Sequence, residues 1–113
     1  MIDYLCLARL ETTGLENRVL MAIMAHVPKL GGGDAYCTMQ DIADSLGVAQ
    51  PSVSRTMQAL KARHIISPIR QGRWHVNAWL MYNGSFDDWG AEAENDPEPI
   101  WTRGADPKTG EVR

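Results

Sequence analysis

TMQDIADSLGVAQPSVSRTMQALKA, residues 38–62, carries the start and stop signals of two short helices separated by a tight turn. Thr38 offers a hydroxyl cap, and Asp41, three residues on, puts a carboxylate at the positive end of a helix. Met39, Ile42, Ala43 and Leu46 recur at three- and four-residue steps, the apolar stripe of a helix of about two turns. Gly47 suits the left-handed position that closes such a helix. Pro51 falls in the first turn of the next, where its missing N–H is harmless. From Gln50 to Ala62, Val53, Met57 and Leu60 form an apolar face. Gln50, Ser52, Ser54, Arg55, Gln58 and Lys61 are left to face outward or sideways. Ala49 stands at the cap position of this helix and has no oxygen with which to cap it.

Working outward, Thr13 and Glu16 have the spacing of a capping box, so a helix should follow with Leu15, Val19, Leu20, Ile23 and Val27 on one face. Pro28 and the glycines after it end that helix. Tyr36 to Thr38 supplies a short extended segment. Beyond the central stretch, Ile65–Arg70 and Arg73–Asn77 are expected as two strands turning at Gln71-Gly72. Pro68 cannot donate to a ladder, which assigns its strand to an edge. Residues 2–10 are nearly continuously apolar and fit either strand or helix. From Gly84 onward the chain is rich in acid, Gly and Pro, and a loose tail is expected.

Helix, short strand, helix, tight turn, helix, hairpin is the plan of a winged helix-turn-helix, mainly α with a small β-hairpin. In that plan the second helix of the turn enters the major groove of double-stranded DNA, with its N-terminal residues at base edges. Gln50 suits adenine, Arg55 suits guanine, and Ser52 suits bases or phosphates. Arg70, Gln71 and Arg73 would act from the wing, while Lys61 and Arg63 would add phosphate attraction. Thr38, Pro51, Ser54 and Gln58 complete the expected DNA-binding set. The competing reading is a winged helix that binds only protein. The polar outward face of the third helix argues against it, because protein-binding faces carry aromatic or aliphatic anchors.

TMQDIADSLGVAQPSVSRTMQALKARHIISPIRQGRWHVNAWLMYNGS resembles the winged-helix domains of MarR-type regulators, and still more the RepL family of plasmid replication proteins. The RepL resemblance rests on the wing followed by HVNAWLMYNGS and covers roughly residues 15–86. It implies a dimer acting at a promoter or a plasmid origin. The chain departs from the pattern at Ala49, at His64 where a glycine usually follows the helix, and at Ala78 where a proline follows Asn77.

Composition sets the frame around this motif. A chain of 113 residues has room for one domain burying roughly two-thirds of its unfolded surface. No apolar run approaches the length of a membrane span, and the expected setting is cytoplasmic. The net charge of −3 is unevenly distributed: residues 1–84 hold eight Lys/Arg against six Asp/Glu, and residues 85–113 hold three against eight. Expected domains are therefore a winged helix at 1–84 and an acidic, partly disordered tail at 85–113. The tail holds Trp89 and Trp101, which would dock on the body, on a second subunit or on a protein partner. Trp74 and Trp79 are assigned to the core behind the wing.

Cys6 and Cys37 read as reduced thiols serving as small hydrophobes, with a redox-switching pair as the alternative. His26 suits a helix C-terminus, and His64 and His75, flanking the wing, would meet phosphate or solvent. No pair of histidines has helical ligand spacing, and nothing resembles an activated nucleophile or carboxylate dyad. No metal, cofactor or catalytic residue is therefore expected. The apolar segment 1–10 is a candidate homodimer element, or else packs across its own core.

Overall fold

A computed structural model describes residues 2–29, 32–83 and 86–102. Its elements run α1 (Tyr4–Arg9), α2 (Gly14–Ala25), β1 (Asp34–Tyr36), α3 (Met39–Leu46), α4 (Gln50–Ala62), β2 (Ile66–Arg70), β3 (Arg73–Val76) and α5 (Phe86–Asn95). Residues 84–85 and 103–113, where part of the expected tail falls, lie outside the described residues. No described helix is long and apolar enough to cross a membrane.

Local chemistry accounts for the helix starts. Glu16 N–H donates to Thr13 Oγ1 at 3.1 Å, and Thr13 N–H donates to Glu16 Oε1 at 2.7 Å. Thr38 and Asp41 form the same reciprocal box, at 3.0 and 2.9 Å. Each box satisfies two amides that the helix itself leaves without partners. Segment 2–10, open between strand and helix in the sequence, is both in turn. Ile2 bridges Met81, and Asp3 then caps α1 by accepting from Cys6 N–H.

Val19, Leu20 and Ile23 of α2 meet Ile42 and Ala43 of α3 and Val53, Met57 and Leu60 of α4 in one core. Ile66, Trp74 and Val76 close it from the sheet, with Ile65 just before β2 beside them. Cys37 is buried in the same cluster, and burial, reinforced by Asp41, lifts its thiol to about 11. The sheet adds a strand to the expected hairpin. Its order is β1-β3-β2, antiparallel throughout, so β2 with Pro68 is an edge and β3 is central. Ala35 opposite Trp74 and Ile66 opposite Val76 turn the apolar side of the sheet towards the helices.

His64 follows α4 with φ +59°, the left-handed conformation that the missing glycine would adopt without steric cost. Its carbonyl accepts from Asn77 Nδ2 at 2.7 Å, which holds it in place.

Arg63 corrects one expectation. Instead of reaching phosphate, it is buried, and its guanidinium donates to the carbonyls of Ile100 (2.9 Å), Glu11 (2.6 Å) and Trp101 (2.8 Å). Ile100 N–H returns a bond to the Arg63 carbonyl, and Glu11 N–H donates to the Trp101 carbonyl. A guanidinium has five donors and no acceptor, so it suits a place where two chain segments bring bare carbonyls together.

The described part of the tail is packed, where a loose segment is expected from its composition. Trp89 Nε1–H donates to the Ala78 carbonyl at 2.9 Å, and Arg9 lies over the Trp101 ring at 4.7 Å. Asn77 Nδ2 also donates to the Pro97 carbonyl at 2.7 Å. His75, expected to meet phosphate or solvent, is held between carboxylates, with Nδ1 3.1 Å from Asp34 Oδ1 and Nε2 2.7 Å from Asp96 Oδ2. The Asp96 bond raises the His75 pKa to about 9 against the opposing effect of burial. Burial would push Asp96 upward, but bonds from His75 and from Ala78 N–H outweigh it and leave its pKa lowered.

Two outcomes follow. His64→Gly should stabilise the protein by about 0.5–1 kcal/mol in urea unfolding, relief of left-handed strain exceeding the entropy glycine adds to the unfolded chain. Arg63→Met should destabilise by about 2–4 kcal/mol, because three carbonyls at a part-buried site lose a charged donor. It should also open residues 96–102 to limited proteolysis, and an unchanged unfolding midpoint would remove Arg63 from that role.

Candidate nucleic-acid interface

α3 closes at Gly47, whose φ of +66° and ψ of 34° are left-handed. The N–H groups of Gly47 and Val48 both turn back to the Ala43 carbonyl. Ala43 is buried, and its single methyl lets α4 come close. Val53, fully buried, and Val48, half-buried, fill the angle between the helices. α4 is thereby held with one side in the core and the other bare. The core side carries Val53, Thr56, Met57 and Leu60.

On the bare side, Gln50, Pro51, Arg55, Gln58 and Lys61 are exposed, and Ser52 and Ser54 are half-buried. Arg55 Nη2 donates to Ser52 Oγ at 3.4 Å, linking a hydroxyl and a guanidinium on adjacent turns. Ala49 gives no side-chain cap, and the Ser52 and Val53 amides instead turn back to its carbonyl at 3.0 and 3.3 Å.

The wing turns at Gln71-Gly72, with Gly72 at φ +79° as such a turn requires. It comes down beside the start of α3, and a cleft of about 530 Å³ opens between the two. Thr38, Gln50, Arg70 and Gln71, four of the expected residues, share its wall. Gln40 and Trp74 line it too and were absent from the expected set. Gln40 Nε2 donates to Asp44 Oδ1 at 2.7 Å, and the buried indole N–H of Trp74 meets no acceptor among the described residues. The outward polar position of Gln40 in the first turn of α3 was a usable signal. The placement of Trp74 depends on the sheet.

Other expected residues are placed differently. Thr38 lies in the cleft wall, but its hydroxyl accepts from Asp41 N–H as a helix cap. Arg73 is not a free wing cation. Its guanidinium pairs with Asp34 through Nε at 3.1 Å and through Nη2, and it lies 5.3 Å from the Tyr36 ring. That bond to Asp34 raises its already high pKa. With Arg63 buried, Arg55, Lys61 and Arg70 are the cations of 36–84 that carry no acidic partner among the described residues.

Three helices with a left-handed turn between the last two, followed by a β-hairpin lying beside them, define a winged helix-turn-helix domain. The chain belongs to the Crp-like helix-turn-helix domain family, whose model matches residues 17–79. A search among curated proteins finds no match. Among solved structures the chain is similar to a transcriptional regulator of the CRP/FNR family from Thermus thermophilus, at 19% identity and a TM-score of 0.48. That alignment covers 83% of this chain and 47% of the regulator's, so the chain spans about half the regulator's length.

Ala49→Ser should add an oxygen that accepts from the first-turn amides of α4. The expected gain is about 1 kcal/mol in thermal or urea unfolding, and no gain would mean that the Ala49 carbonyl already satisfies that end.

Proposed function

We propose that the chain binds specific double-stranded DNA and regulates transcription by occupying its site. The observation that carries this reading is the bare face of α4, which sets amide, hydroxyl and guanidinium groups together beside a cleft walled by the wing. Gln50, Ser52 and Arg55 read base edges in the major groove, with Ser54, Gln58 and Pro51 alongside. Arg70 and Gln71 reach the backbone from the wing, and Lys61 adds phosphate attraction. Thr38 and Arg73 support the site by capping α3 and bracing the wing.

A single winged helix contacts one half-site, so the active form is a homodimer. Tyr4 and Leu5, both 73% exposed on α1, are the apolar groups offered for pairing. Occupancy of a plasmid origin, which the RepL resemblance implies, would use the same face. The protein-interaction reading loses support because its candidate anchors, Trp89 and Trp101, are engaged with the body of the fold. Cytoplasmic DNA is the partner in view.

Gel shifts with fragments flanking the gene test the reading, and no salt-sensitive shift with any fragment would overturn it. Lys61 and Arg70, the cations of 36–84 left to meet phosphate while Arg55 reads a base, predict a log K versus log[salt] slope of about −2 per half-site. Arg55→Ala should lose about 1–3 kcal/mol on the specific site alone and relax base choice at one position. Arg70→Ala should weaken binding to all sequences and reduce the magnitude of the slope by about 1. Equal losses on random DNA for Arg55→Ala would remove its base-reading role.

A further inference from the structure

Away from the α4 face, three ligating side chains converge where β3 meets the end of α5. His75 comes from β3. Glu92 and Asp96 stand four residues apart, with Asp96 N–H bonded to the Glu92 carbonyl at 2.9 Å, so their carboxylates share one helical face. One ligand atom from each of the three lies within 4.8 Å of the others, and all three residues are half-buried.

The cluster is oriented from outside itself. Asp34, on β1, faces His75 Nδ1 at 3.1 Å and leaves Nε2 turned towards Asp96 and Glu92. A carboxylate on one ring nitrogen, fixing the tautomer and aiming the other, is the usual support of a metal-binding histidine. Ala78 N–H donates to Asp96 Oδ2 at 2.8 Å and fixes that carboxylate in turn.

Charge balance shows what the cluster lacks. Asp34 is matched by Arg73, and a protonated His75 is matched by Asp96. Glu92 brings a further negative charge, and its carboxylate has no hydrogen bond or ion pair among the described residues. A divalent cation in place of the Nε2 proton would face one neutral imidazole and two carboxylates, a set that sums to zero.

We propose that His75, Glu92 and Asp96 form a binding site for a divalent transition-metal cation of the zinc type, which staples α5 to the central strand. One imidazole and two carboxylates match the nitrogen and oxygen donors such ions accept, with water completing a tetrahedron. Bond lengths of about 2.0–2.2 Å place tetrahedral ligand atoms about 3.3 Å apart. The His75–Asp96 pair therefore opens by roughly half an ångström and Glu92 closes in, adjustments within reach of side-chain rotation. The site is independent of whether α4 reads DNA.

The test uses the full chain after chelator treatment, titrated with Co²⁺ and then Zn²⁺ while absorption and thermal melting are followed. One equivalent of Co²⁺ should bind with weak d–d bands, without the intense sulfur charge-transfer band that Cys6 or Cys37 would produce. Zn²⁺ should displace it, and the melting temperature should rise with metal concentration. Glu92→Gln should lose at least tenfold in metal affinity while melting like the parent without metal, since this carboxylate makes no bond among the described residues. Failure of the parent to take up one equivalent, a dominant thiolate band, or undiminished affinity in Glu92→Gln would each overturn the site.

Discussion

The close approach of α3 and α4 is the constraint on which the rest of the interface depends. The Ala43 carbonyl accepts from both Gly47 and Val48, and Gly47 supplies a conformation that a side chain would strain. The Ala43 methyl, buried against α4, is small enough to let the two helix axes come together. A bulkier residue there would push α4 outward and tilt its bare face. Because α4 also supports β2, that shift would carry the wing with it and reshape the cleft between them. The geometry of the proposed base-reading face thus hangs on a three-residue turn whose own chemistry is apolar and steric.

Electrostatics is organised around this scaffold by pairing as much as by placement. A chain of net charge −3 can still present a locally positive face. The five cations of residues 36–84 do not all contribute to it, however. Arg63 holds the two ends of the fold together, and Arg73 braces β3 against β1 through Asp34. Three cations of that stretch carry no acidic partner among the described residues, so under the proposed function specific contacts and a second protomer would supply much of the affinity. The acidic residues of the described tail are not all loose charge. Asp96 holds His75 and the Ala78 amide, and Glu92 stands beside them at the end of α5.

Much of the helical architecture was legible because its causes are local. The Thr13–Glu16 and Thr38–Asp41 boxes, the glycine at position 47 and the proline at position 51 each act within a turn of their own position. The expected bounds of α4, Gln50 to Ala62, are those of the structure. The left-handed His64 was foreshadowed by its place at a position where a glycine usually stands. The hairpin and the edge position of Pro68 were legible as well, since a turn signal and a missing donor are properties of single residues. Of the interface, the outward residues of α4 followed from periodicity alone.

What lay beyond the sequence was whatever joins distant segments. β1 pairs with β3 across some forty residues, and nothing local to Asp34–Tyr36 names its partner. Arg63 and Lys61 are both cations at the end of one helix, yet one is buried and the other exposed. Only the return of Glu11, Ile100 and Trp101 to the same spot distinguishes them. The same holds for His75, whose two carboxylates come from positions 34 and 96, and for a tail whose composition suggests looseness. The sequence by itself determined where helices begin and end, because caps, turns and apolar periodicity act over a few residues. Tertiary structure alone decided which charges are free, because a charge's worth depends on what the rest of the chain brings within about 4 Å of it.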